Sequence, residues 1–343
     1  MSNYFLTGSY AEEQDEGIKL WKFEHGTLNE ISGIAGIERP SFLAVHPNGQ
    51  HFVATSEAGP GELVAYEIDT ETVTLKEINR QSSNGDHPAH VCIDDSGKWV
   101  LSVNYSGANL NSFPLHGDGS IGELVDSIPH EGSGPNAERQ DAAHPHSVFQ
   151  IPGTDTFLVS DLGTDTIYAY ALDKKTGKLD LKAITKTAPG AGPRHLAFHP
   201  LKAYVYSVEE LHSAVTVYEL AESGSLSALQ TVSAIPDNFK ETNTSAEIAV
   251  SANGRFLYAS NRGHDSIAAF EIQHDGKLKE LAVMPTGGAG PRHFTLSSND
   301  QQLIVCNENS GTITTMEIDG LGVPWAMAQG IQTTAPVCIK EVK

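Results

Sequence analysis

Side chains able to bind an anion and move a proton recur in this chain at one spacing: His146 with Asp161, Arg194 with Glu209 and Glu210, Glu247 with Arg262, Arg292 with Asn307, and His90 with Asn104. Each pair is about 15 residues apart, the length of two strands joined by a tight turn, so its members meet at one end of a hairpin. A guanidinium is a two-pronged donor suited to carboxylate or phosphate. An imidazole or a carboxylate can take and return a proton near neutral pH. The chain holds only 22 Lys and Arg against 43 Asp and Glu, a formal net charge of -21. Three arginines, Arg194, Arg262 and Arg292, at matching positions would therefore oppose the field of the whole molecule, as a site for a small anion requires. The same net charge disfavours nucleic acid and anionic membrane surfaces as partners.

Simpler roles compete for some of these residues. Asn104, Asp161 and Asn307 suit strand ends, where Asn and Asp commonly start a turn. His144 and His146 would share one strand face, but no third ligand stands at zinc-type spacing, so no metal site is expected. No phosphate-cradling Gly-rich loop, no Gly-x-Ser-x-Gly elbow and no Cys-x-x-Cys pair occurs, and no cofactor is expected. Cys92, Cys306 and Cys338 lie singly in strand-like runs and read as buried free thiols of a reducing compartment. The opening Met1–Leu6 lacks the basic and apolar regions of a signal peptide, and no run is long enough to span a membrane, so a soluble cytoplasmic protein is expected.

The elements that must hold these residues are visible as a repeat. Copies begin at Pro40, Pro88, Pro145, Pro193, Ala246, Pro291 and Pro336, with steps of 48, 57, 48, 53, 45 and 45 residues. Each pairs an alternating apolar run, a turn and a second apolar run ending in a polar residue, and two further strand-like runs follow. The step length is that of a four-stranded propeller blade. The last copy supplies one strand only, while Tyr4–Thr7, Ile18–Phe23 and Leu28–Ile31 supply three at the amino end. An all-β, seven-bladed β-propeller over residues 1–343 as one domain is predicted, its ring closed by N-terminal strands completing the blade of the C-terminal strand.

Five segments in order and phase carry a resemblance: His144-Pro-His-Ser-Val148, Ser160-Asp-Leu-Gly-Thr-Asp165, Gly192-Pro-Arg-His-Leu-Ala-Phe-His-Pro200, Ser207-Val-Glu-Glu-Leu211 and Ser260-Asn-Arg-Gly-His-Asp-Ser-Ile267. Over nearly its whole length the chain resembles the seven-bladed β-propeller lactonases, a family to which the fungal carboxy-cis,cis-muconate cyclase is related. The resemblance implies a lactonase that hydrolyses a sugar-phosphate lactone, 6-phosphogluconolactone, at one mouth of the channel. It implies a catalytic group of His146, Arg194, Glu210 and Arg262, with either His146 or Glu210 as base. His195, Arg292, His293, Asp161 and Asn261 are expected to bind the small anionic substrate beside them. Strand alternation allows only one of Glu209 and Glu210 to face the channel. Three alternatives stand beside this reading: a muconate-type lactonising enzyme, a non-catalytic interaction scaffold, and a calcium-dependent lactonase using Glu210, Asn261 and Asp161.

Overall fold

The structure is a computed structural model that describes residues 4–69, 71–326 and 330–342, so the first three residues of the opening segment lie outside the described residues. Those described form seven sheets and no helix. In the first blade the strands run outward from the axis as Leu43–Val45, His51–Ser56, Glu62–Asp69 and Thr74–Ser82. The next five start at Pro88, Pro145, Pro193, Thr244 and Pro291. In the seventh, Pro336–Val342 is innermost and Tyr4–Ser9, Ile18–Glu24 and Thr27–Ile34 follow outward, with Thr7 opposite Ile339. Innermost strands touch from each blade to the next around the full circle. This is the predicted seven-bladed ring with the predicted closure, the seventh sheet being completed by strands from both ends of the chain.

Burial explains the sequence texture. Second strands such as Trp99–Asn104 and Gln302–Asn307 are covered on both faces by neighbouring blades and read as continuous apolar runs, whereas outer strands such as Leu179–Lys186 are mostly exposed. Adjacent blades pack through these faces; Tyr206, Val208 and Val217 of the fourth meet Ile248, Leu257 and Phe270 of the fifth.

Two departures from regular pairing matter for function. In four blades the ladder slips by one residue just after the opening proline, between Pro88 and His90, Pro145 and Ser147, Pro193 and His195, and Pro291 and His293. The residue that is skipped, Ala89, His146, Arg194 or Arg292, is a β-bulge, which turns its side chain out of the alternation. The first blade's inner strand also begins only at Leu43, three residues past Pro40, where other copies begin at their opening proline. Phe42 has left the ladder, and its ring occupies the axis, 4.0 Å from the His90 ring, 5.8 Å from His195 and 5.7 Å from His293, with Lys340 Nζ 4.4 Å from its centroid.

Candidate active site

Each second strand ends on the same two-residue device. The first residue, Asn104, Asp161, Glu209, Asn261 or Asn307, is buried and turned back into the blade. The second, Tyr105, Leu162, Glu210, Arg262 or Glu308, comes where the chain leaves the ladder, and Tyr10 and Glu57 hold the equivalent place in the seventh and first blades. Glu57, Tyr105, Glu210 and Arg262 of this second set, the bulged His146 and Arg292, and Arg139 line a pocket of about 310 Å3. That volume suits a phosphorylated sugar.

Glu210 is the hub. Its Oε2 lies 2.9 Å from Arg194 Nε and 3.0 Å from Arg262 Nη2, and its Oε1 accepts a hydrogen bond from Arg139 Nη2 at 2.6 Å. Burial alone would raise this carboxyl, but Arg262, Arg194 and Arg139 outweigh it and hold it down at about 2. Arg194 is further fixed by donating to the Ala246 carbonyl at 2.7 Å. Burial, then Arg262, brings its guanidinium down to about 10, so it remains charged. Arg292 donates to Tyr10 Oη at 2.6 Å and to Glu308 Oε2 at 3.3 Å, while the Tyr10 hydroxyl donates to Glu57 at 3.0 Å. Four guanidiniums thus face three carboxylates, a local surplus of positive charge inside a strongly negative chain. Burial, followed by the charges of Arg194 and its neighbours, drives His146 well below the ordinary imidazole range. It is a neutral ring with a lone pair to offer, set edge-on to Tyr105 with 5.7 Å between ring centroids.

His146, Glu210, Arg262 and Arg292 come together at the pocket as expected. Arg194 lies one layer behind its wall and lines, with His146, a second cavity of about 10 Å3 below the floor. His195 and His293 line that small cavity and not the larger pocket, so the structure places them beneath the site rather than on its wall. Asp161 and Asn261 are corrected from substrate-binding positions. Asp161 Oδ1 accepts the amides of His144 and Thr164 at 2.9 and 3.1 Å, and its Oδ2 accepts from His130 at 2.8 Å. Asn261 donates to the Ala234 carbonyl and accepts from Ser245, both at 2.7 Å. Both occupy the first position of the device, where an oxygen or amide ties the strand end to an adjoining segment, and neither reaches the pocket. That also dismantles the calcium set, because Glu210 stands among arginines while the other two oxygen sources are spent elsewhere. The His144 nitrogens face the Tyr105 carbonyl and Asp141 at 3.0 and 3.2 Å, so the pair with His146 is not a ligand pair.

The 15-residue spacing does not single out Arg139, Tyr105, Glu57, Tyr10 and Glu308. The last four follow the polar strand-end residue by one position, a rule visible once the device is known. Arg139 comes from the segment that makes the step between the second and third copies 57 residues long. Its lone arginine in an excess of connecting chain was the available signal.

A family model described as lactonase, 7-bladed β-propeller, matches residues 4–341. The chain belongs to that lactonase family. Among its relatives, a 6-phosphogluconolactonase of Bacillus subtilis is 35% identical over 99% of both chains, and one of Formosa agariphila is 34% identical over 90% of both. The solved structure of a periplasmic gluconolactonase from Pseudomonas aeruginosa superposes with a TM-score of 0.91 at 26% identity, covering 98% of each chain. The lactonase is thus an enzyme among lactone hydrolases, which disfavours the muconate-type and scaffold readings. Among its described residues no helix is long and apolar enough to cross a membrane.

Proposed function

We propose that this lactonase hydrolyses 6-phosphogluconolactone to 6-phosphogluconate in the arginine-rich pocket. The observation that carries the reading is a neutral imidazole, His146, beside a surplus of guanidiniums: a base for water placed where a dianionic substrate is attracted. His146 takes a proton from the attacking water as the new C–O bond forms. Arg262 and Arg292 offer donors to the carbonyl oxygen as it becomes an oxyanion, the charge such sites are built to stabilise, while Arg194 fixes Glu210 behind them. The protonated imidazole then returns its proton to the ring oxygen as that bond breaks. Arg139, on the rim and 39% exposed, takes the phosphate. Glu210 is assigned to organising the guanidiniums and not to base catalysis, because both of its oxygens are already engaged by Arg194, Arg262 and Arg139. The free thiols of Cys92, Cys306 and Cys338 support a reducing, cytoplasmic setting.

The test is the hydrolysis rate of freshly made 6-phosphogluconolactone, corrected for its spontaneous opening. His146→Ala and Arg194→Ala should each lower kcat/KM by about 10² or more. Parent-like rates in both variants would refute the assignment, and a parent enzyme no faster than buffer would refute the substrate.

A further inference from the structure

Below the pocket floor lies a buried set of titratable groups with no part in the scheme above. Oε2 of Glu247 is 3.0 Å from His195 Nδ1 and 3.0 Å from His293 Nε2, and its Oε1 accepts the Ile248 amide at 3.0 Å. Burial alone would raise this carboxyl, but His293 and His195 keep it well below its ordinary value, so it is an anion. An anion only accepts, and that decides where the protons sit on both rings. His195 carries its hydrogen on Nδ1. His293 carries its own on Nε2, which agrees with the Ile339 amide pointing at its Nδ1 from 3.3 Å and leaves Lys340 Nζ, 3.2 Å from Nε2, as a close neighbour without a lone pair to use there.

The remaining nitrogen of His195, Nε2, is then a bare acceptor, buried and without a protein partner, and Nδ1 of His146 is likewise buried and unpartnered. The two rings lie 5.3 Å apart between centroids. Both line the cavity of about 10 Å3, room for one water. We propose that a single water there joins His146 to His195, so that Glu247, acting through His195, holds His146 in the tautomer with hydrogen on Nδ1 and its Nε2 lone pair turned to the substrate. The His146 Nδ1–H donates to the water, and the water donates to His195 Nε2. When Nε2 takes the proton of the attacking water, the positive charge on His146 faces this chain and, through it, the Glu247 carboxylate. No proton needs to leave the ring by that route: the one gained at Nε2 goes to the departing ring oxygen. Glu247 and His195 are positioning residues in this scheme, which rests on His146 as the base.

Glutamine at position 247 cannot accept on both sides, since its amide would face either the Ile248 N–H or the two imidazole N–H groups. In nitrogen-15 NMR of the intact parent protein, His146 and His195 should both be neutral with hydrogen on Nδ1, and His293 with hydrogen on Nε2. A His146 ring with its hydrogen on Nε2 overturns the proposal whatever any variant does. In Glu247→Gln, kcat for 6-phosphogluconolactone should fall about tenfold to a hundredfold with KM little changed, as for other partners that orient a working imidazole, and Glu247→Asp should recover part of it. A folded Glu247→Gln with parent kcat overturns the relay while leaving the hydrolysis reading intact, provided His146→Ala is impaired. An active His146→Ala would instead bring down the reading of the site.

Discussion

Of the two adjacent glutamates at the end of the fourth blade's second strand, Glu210 meets three guanidiniums and is held down to about 2, whereas Glu209, one residue earlier, meets none and is pushed by burial up to about 8. Both are almost fully covered, 3% and 1% exposed, so burial does not separate them. Direction does. Glu209 lies within the ladder opposite Pro193 and points back into the blade, where neighbouring blades place Asn104, Asn261 or Asn307. Glu210 leaves the ladder and reaches the mouth. In the inward place an amide can donate to a carbonyl, as Asn104 does to Ser83 and Asn261 to Ala234, each at 2.7 Å. A carboxylate cannot donate, and the Glu209 oxygens have only the Ser207 and Thr216 hydroxyls beside them and no cation to offset burial. One position uses a charge; its neighbour tolerates a carboxyl by keeping it neutral.

Breaking this contrast at Glu210 should have the largest effect. Glu210→Ala leaves Arg194 and Arg262 buried without their counter-ion, and we expect it to cost about 3–5 kcal/mol in urea unfolding and to lower hydrolysis by about 10² or more. A variant of parental stability would mean that the guanidiniums are solvated well enough to need no hub. Glu209→Gln sharpens the contrast from the other side. The folded protein binds the Glu209 proton more tightly than the unfolded chain, so the parent loses stability as pH rises from the ordinary carboxyl value of 4.5 toward about 8 and levels off above that. The glutamine variant should lack this loss. It should equal the parent in acid and exceed it increasingly as pH rises, by up to about 4–5 kcal/mol near pH 8, and parallel stability–pH curves would contradict the neutral-acid reading. The smallest effect on the fold belongs to Arg139→Ala at the exposed rim. KM for the phosphorylated lactone should rise about tenfold, the loss of one charged hydrogen bond, with unfolding nearly unchanged. An equal rise for unphosphorylated gluconolactone would place Arg139 on the sugar rather than on the phosphate.

The ring and its closure were legible because a period near one blade length and a missing partner at each chain end are properties of the whole sequence. Hairpin length brought His146, Glu210, Arg262 and Arg292 to the ends of their blades, but it brought Asp161, Glu209 and Glu247 there equally, and the family resemblance supplied the choice of His146, Glu210 and Arg262. What escaped was local. A one-residue slip in the ladder leaves no mark in an alternating pattern, so the pattern could not tell that Arg194 bulges while His195 resumes the ladder in the layer below. Asp161 and Asn261 were misplaced because polarity at a strand end reports equally on a substrate contact and on a tie to the next segment. The choice between Glu209 and Glu210 turned on the residue at which pairing stops, and Arg139 on how a connecting segment folds over the mouth; hydrophobic spacing describes neither.

The Phe42 ring, seated among His90, His195 and His293, lines the small cavity beneath the pocket that the arginines face. The product leaves that pocket carrying a newly formed carboxylate past the same guanidiniums that drew the lactone in. The strength of that arginine cluster is therefore bounded from above: a grip much tighter on the ring-opened acid would slow every turnover at its exit.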